Sequence, residues 1–472
     1  MERGVKRGQL CAIAAALIWI AAFPGLRAIN AQASGSSGTQ SQITFTKDIA
    51  PIFQEKCQSC HRVGAMAPMP LTTYQETRPY AKGIRQRVLM RTMPPWFIDK
   101  TVGIQHFAND ISLTDPQIAA IVSWVDHGAP QGDPKDMPPP KSFADDQSGW
   151  ELEKVLGRQP DLVLEGPDYT VKANDQDQWF RPITDVGLTE PRWVIAVEIR
   201  PSTKEARQVF HHVLANLEQD ETNAPEAQVK VSLGDSRSGR TAMGGMLMEW
   251  AINKNYDIYR DGTGKLLMPG AKIWWEYHTH ATDHDVTGHP QLAVYFYPKG
   301  QTPKYRTYLT GFQAYTHDTF DIPPNSMFET QGFTVLKAPA RLENFQPHMH
   351  LRGKAMEMDA ILPNGTRRVL SYADHFNFNW MTNYIYADEA APVLPKGTVI
   401  HVTAWLDNTT ANPFNPDPNQ WVGWGERSVD DMAFAWVNVT YLSDQDYKDW
   451  VAKHPNQTSG EKKEEGAAIG EP

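Results

Sequence analysis

Cysteine is nearly absent: the 472 residues hold three, at Cys11, Cys57 and Cys60. That excludes a disulfide framework, so the folded parts must stand on packing and hydrogen bonding. A basic surplus is also lacking. Lys+Arg number 45 against 55 Asp+Glu, a formal net charge of −10, which argues against nucleic acid as a partner. Beyond Phe23 no apolar run approaches the roughly 20 residues that a spanning helix requires, so no transmembrane span is expected in the processed chain.

What is present points to several domains rich in β-structure. The length exceeds what one core of roughly 250–300 residues organises, and two to four domains are expected. Hydrophobic residues make up 41%, with 15 Trp and 16 Tyr, while 35 Pro and 33 Gly favour short strands and many turns over long helices. At the N-terminus, Arg3, Lys6 and Arg7 precede an apolar run from Leu10 to Phe23, and Ala31-Gln32-Ala33 follows. This order reads as a secretory signal over residues 1–33 and predicts a periplasmic or secreted protein; an uncleaved N-terminal anchor is the alternative. Cys11 is expected to leave with the signal and to carry no function.

After a linker at 34–42, residues 43–134 show helical periodicity in Ile49/Ile52/Phe53 and Ile118/Ile121/Val122/Val125, with Asp115-Pro116 as a helix start. A Pro-rich linker is expected at 135–159. Apolar runs such as Trp193–Ile199, Gln291–Phe296 and Phe434–Val439 then predict strands. Pro323-Pro324-Asn325 suggests a division into β domains at 160–322 and 323–445, with a disordered tail at 446–472.

Cys57-Gln58-Ser59-Cys60-His61 carries specific chemistry. Two thiols on one side of a turn add across the haem vinyl groups and the adjacent His supplies the proximal iron ligand, so the motif reads as c-type haem attachment. Met66, Met69, Met90 and Met93 are the candidates for the distal ligand. Met93 is the expected one, because Pro94-Pro95 would hold it extended against the haem face.

The histidines are grouped as His211-His212, His278-Thr279-His280 and His348-Met349-His350. Residues i and i+2 share a face of a strand, so His348 and His350 can chelate one ion from a single strand. His211 and His212 would point to opposite faces of an ideal strand, so sharing an ion requires a twist or a strand end. His280, His284 and His289 read as solvated loop residues or as an additional site.

These elements resemble the copper type II, ascorbate-dependent monooxygenases, a family that includes peptidylglycine α-hydroxylating monooxygenase and dopamine β-monooxygenase. The resemblance covers about Pro160 to Leu442. It rests on Phe210-His211-His212-Val213-Leu214, Trp275-Glu276-Tyr277-His278, the run His348–Lys354 and Asp430-Asp431-Met432-Ala433-Phe434. It implies an electron-transfer copper at His211, His212 and His278, with His280 as the substitute for His278. It also implies an oxygen-activating copper at His348, His350 and Met432, a soft thioether-plus-imidazole set suited to cycling copper. The fold it implies here is a small all-α cytochrome c domain followed by two all-β, jelly-roll or sandwich-like copper-binding domains.

The expected activity is hydroxylation of a C–H bond with O2, at His348, His350 and Met432, using electrons delivered through one covalent haem to two coppers. A redox partner or small reductant would load the haem. The substrate, a small molecule or a peptide, has no legible determinant, because the family's substrate-gripping residues have no counterpart here. Three other readings remain: an electron-transfer cytochrome whose β domains dock a partner, a noncatalytic copper-binding protein, and a copper-dependent reductase or peroxide-using enzyme.

Overall fold

In the computed structural model, residues 42–63, 65, 67–141, 149–231, 243–251 and 254–454 are described. The expected signal, the candidate ligand Met66 and most of the expected tail lie outside them. Among the described residues, no helix is long and apolar enough to cross a membrane.

The N-terminal part is helical for local reasons. Thr73 and Glu76 form a capping box at Tyr74–Thr77, and Thr114 and Gln117 form another at Asp115–Asp126, where Pro116 sits in the first turn. Apolar residues at helical spacing on Ala50–Lys56, Ala81–Leu89 and Asp115–Asp126 meet around Phe45, Phe53, Ile84 and Trp124. The Trp124 indole N–H donates to the carbonyl of Pro130 at 2.9 Å, which satisfies the polar end of a fully buried ring.

The expected small all-α cytochrome c domain is nevertheless not what the chain builds. Strands hold 36% of the residues against 17% in helices, and from Ile43 onward the chain forms one compact unit. The reason lies in the strap between the helices. Trp96, Ile98 and Phe107 are buried in the core of a distant β-sandwich: Trp96 meets Tyr384 edge-on at 4.8 Å, and Phe107 stacks on Tyr386 at 5.5 Å. Isolated bridges join Ile98 to Ala373 and Phe107 to Tyr386. Helical periodicity on either side of the strap gives no sign of this, because periodicity reports only local faces. Trp96→Ala is expected to cost about 3–5 kcal/mol, as for other large-to-small changes in a packed core, read as a lowered urea midpoint of the whole unit.

Beyond Trp150 two β-sandwiches follow. In the first, Leu162–Glu165, Pro290–Phe296, Arg192–Pro201 and Thr263–Leu267 form one layer, facing Lys272–Thr279, Phe210–Glu218 and Met243–Ala251. In the second, Tyr305–Gln313, Ala433–Tyr441 and Asn344–Met349 face Met327–Val335, Val399–Asp407, Gly353–Ile361 and Arg367–Ala373. Tyr305 and Arg306 pair in parallel with Thr263 and Gly264, so one 11-stranded sheet runs through both sandwiches.

The division expected at 322/323 therefore falls too late. Tyr305–Gln313 pairs along its length with Ala433–Tyr441 and belongs to the second sandwich, and the change of core occurs between Phe296 and Tyr305. Pro323-Pro324-Asn325 is only the turn before Met327–Val335, with Asn325 at positive φ. The tail expected from 446 also begins too early. Ser443 caps a helix over Asp444–Lys453, its side chain accepting from the Asp446 N–H.

Candidate functional site

His211 and His212 open the strand Phe210–Glu218, which pairs antiparallel with Lys272–Thr279. His212 lies opposite His278, but Phe210 lies opposite Thr279, so His211 is the extra residue of a β-bulge. The bulge lets adjacent side chains turn to one side, which an ideal strand forbids. The Nδ1 atoms of His211 and His212 are 3.3 Å apart, as are those of His212 and His278. All three residues offer a ligand atom within 4.8 Å of the others.

Burial, reinforced by neighbouring His278, pulls His211 down to about 4, and burial likewise holds His212 well below the ordinary imidazole value. The rings are therefore neutral near pH 7 and present nitrogen lone pairs. His278 is fixed by Asp177, whose Oδ2 accepts from Nε2 at 3.0 Å, so that Nδ1 faces the other two rings. Burial would raise the Asp177 carboxyl, but hydrogen bonds from His278 and His280 outweigh it and bring the group down to about 2. His280 meets the other Asp177 oxygen at 2.8 Å with its side chain 72% exposed, so it supports the carboxylate from outside the cluster. His284 pairs with Asp283, and His289 with Asp168 and Glu165.

Asp177 escapes a sequence reading because it lies 101 residues from His278. Asp177→Asn is expected to weaken metal binding at the three-histidine group by about 10–100-fold, measured by competition with a chromophoric chelator.

His348 lies in Asn344–Met349 and His350 directly follows that strand. His348 pairs with Phe434 and Met349 with Ala433, which brings Met432 alongside. His348 Nε2 is 3.1 Å from Met432 Sδ, and the rings of His348 and His350 are 5.6 Å apart. Burial, with the neighbouring His350, takes His348 down to about 3, and burial takes His350 to about 4. The Asp430 carbonyl accepts from His350 Nδ1 at 3.2 Å, leaving Nε2 as the lone-pair nitrogen. Asp431, fully buried, accepts from the backbone N–H of His350, Arg352 and Met432 and so ties both lead-ins together.

The first sandwich reaches this second group as well. Glu249, on Met243–Ala251, places Oε1 4.0 Å from His348 Nδ1, and neither buried atom has a hydrogen-bond partner. Its other oxygen accepts from Gln346 Nε2 at 2.5 Å. The signal in the sequence is a carboxylate inside the apolar run Gly245–Ala251. The two histidine groups also face each other, with the His212 and His348 rings 6.4 Å apart. Phe378 stacks on His211 at 4.9 Å and stands edge-on to His350 at 6.1 Å.

Cys57, Cys60 and His61 line a cavity of ≈ 300 Å³ together with Met69, Met93 and Trp380. No disulfide joins the two cysteines, and burial pushes the Cys57 thiol up to about 12. The Met69 carbonyl accepts from His61 Nδ1 at 3.1 Å, which leaves Nε2 as the lone-pair nitrogen. Met90 is 57% exposed and does not line this cavity, whereas Met93 does.

No protein-family model and no curated protein matches the sequence. Among solved structures, the chain is similar to the major capsid protein P2 of bacteriophage PM2 at 11% identity and a TM-score of 0.25, over 59% of this chain and 99% of that one. It is similar to PNGF-II at 8% identity and a TM-score of 0.25, over 60% and 66% of the two chains. A third likeness is to infectious bursal disease virus VP2, at 9% identity and a TM-score of 0.17 over 61% and 75%. Likenesses this slight carry no weight for fold or function.

Proposed function

We propose that the protein is an exported oxidoreductase that holds one covalent haem and two coppers and hydroxylates a C–H bond with O2. The observation that carries this reading is the donor set. The Nδ1 atoms of His211, His212 and His278 converge, while His348 Nε2 and Met432 Sδ meet at the opposing group, with the His350 ring beside them. Neutral imidazoles with a thioether suit copper that alternates between its two oxidation states. Bound copper supplies one-electron steps to the overall reaction R–H + O2 + 2e⁻ + 2H⁺ → R–OH + H2O.

The chain's own residues set the conditions for that chemistry. Asp177 and the Asp430 carbonyl hold protons on the outer nitrogens of His278 and His350, so the inner nitrogens stay free to ligate. Glu249 stands where it can orient His348 through Nδ1. Phe378 covers His211 and His350 and helps to keep water from between the two groups. The cavity at Cys57, Cys60, His61 and Met93 has the thiol pair and the two axial donors that a covalent haem requires.

The test is haem and copper content of protein from a haem-maturing host, with copper EPR on wild type, Met432→Ala and His348→Ala. One haem and two coppers per chain are expected, with one copper signal altered in both variants and the other retained. Haem without stoichiometric copper would overturn the enzyme reading, and two coppers without substrate-dependent O2 uptake would leave a copper-binding protein.

A further inference from the structure

The segment between Arg367–Ala373 and Tyr384–Ile385 touches both candidate sites. At Phe378 it stacks on His211 and abuts His350, and at Trp380 it forms part of the wall of the cavity that holds Cys57, Cys60, His61 and Met93. The two aromatic residues are separated only by Asn379, two steps of about 3.8 Å between successive Cα atoms. We infer that Phe378 and Trp380 form the electron route from the haem cavity to the histidine groups, an inference that rests on the function proposed above.

The local structure gives this segment the rigidity that such a route needs. The Trp380 N–H donates to the Asn377 carbonyl at 2.8 Å, the Asn379 N–H to Asn377 Oδ1 at 3.0 Å, and the Thr382 N–H to the Trp380 carbonyl at 2.8 Å. Its beginning is tied to the strap by the Asp374 N–H donating to the Phe97 carbonyl at 3.2 Å. Its end is tied by Asn109 Nδ2 donating to the Asn383 carbonyl at 2.7 Å. Phe376 packs so closely on Gly353 that a Cβ there would come within 2.7 Å of the ring, which fixes the segment against the strand that follows His350. The strap that docks the helices thus clamps both ends of the segment joining the two sites.

In the step that this route serves, one electron leaves ferrous haem and reduces one cupric ion at His211, His212 and His278. The products are ferric haem and a cuprous ion, and an external one-electron reductant then restores the haem. The edge of an indole and a stacked phenyl ring shorten the through-space gaps at the two ends, and the intervening bonds are covalent.

The experiment uses the full chain carrying haem and copper, without oxygen, with one electron delivered to the haem by flash photolysis of a flavin. Haem reoxidation is followed by absorbance and the cupric ion by EPR. In wild type, reoxidation is expected to be independent of protein concentration and to match the loss of cupric signal. Trp380→Ala and Phe378→Leu should slow it by roughly an order of magnitude with haem spectrum and copper content intact, while Trp380→Phe retains most of the rate. Unchanged rates in both slowed variants, fully loaded, would overturn the route alone. A wild-type protein that takes up haem but shows no cupric signal at the outset would overturn the underlying reading, and the route with it.

Discussion

Acidifying the metal-free protein from about pH 7 towards pH 4 is expected to cost several kcal/mol through its buried histidines, offset in part by Asp431 and Glu198, which burial raises to about 7 so that the folded chain takes up their protons first. The histidine part is read as a steeper fall of the urea midpoint in wild type than in a triple variant carrying His211→Gln, His348→Gln and His350→Gln. His211 and His350 sit at about 4 and His348 at about 3 in the folded chain, against an ordinary value of 6.5. Burial is the first cause in each case. Because the folded values are depressed, the unfolded chain takes up protons first as pH falls. The histidine contribution is therefore full above about 6.5, declines below it, and stops declining once the folded groups also titrate near 3 to 4. A tenfold difference in proton affinity between folded and unfolded chain corresponds to about 1.4 kcal/mol, and interactions among the rings make the sum smaller than three independent groups would give. Copper uptake by the folded chain should fail only as pH approaches about 4, where protons begin to compete with metal for the same nitrogens. Equal pH dependence in wild type and that variant between about pH 6.5 and 4 would show that these rings are solvated in the folded chain.

Asp431→Ala is expected to cost about 3–5 kcal/mol and to abolish copper binding at His348, His350 and Met432. The carboxylate is fully buried and accepts from three backbone N–H groups, two of them on His350 and Met432 themselves. Removing it strands those donors away from water and takes away one of the three carboxyl groups, with Asp417 and Asp430, that act on the Arg352 guanidinium. Arg352 keeps its own bonds to Asn408 and the Val429 carbonyl and the charges of Asp417 and Asp430, so it would stay in place and the loss falls mainly on the three backbone donors. Asp431→Asn retains an acceptor oxygen and should lose less. Equilibrium denaturation and copper content together check this: full copper retention in the alanine variant would mean that Met432 is held by the strand alone.

Much of the local structure is legible from sequence. Trp193–Ile199, Gln291–Phe296 and Phe434–Val439 all lie in strands, and Asp115-Pro116 does begin a helix. His348 and Met432 stand out in the sequence, and the structure places them 3.1 Å apart although 84 residues separate them. What is not legible depends on register and long-range pairing. The bulge that aligns His211 with His212 is a property of two strands together. Asp177 sits in unremarkable local surroundings, and Glu249, though conspicuous in its apolar run, matters only through a histidine far away in the chain. The pairing of Tyr305–Gln313 with Ala433–Tyr441, which moves the boundary between the sandwiches, leaves no trace in composition. The strap is illegible for the same reason, since Trp96 and Phe107 find their partners at Tyr384 and Tyr386, far along the chain.

That strap has a consequence for modularity. A shortened chain beginning near Trp150 would leave Tyr384, Tyr386 and Ala373 facing water, together with the bare edge at Ala373 that Ile98 now covers. An uncovered apolar patch beside an open strand edge invites association between copies. The two sandwiches should accordingly be sticky and poorly soluble when made alone, and regain monodispersity when residues 43–141 are supplied in trans. The strap thus serves the second sandwich as a cover for apolar surface and a strand edge that its own strands leave bare.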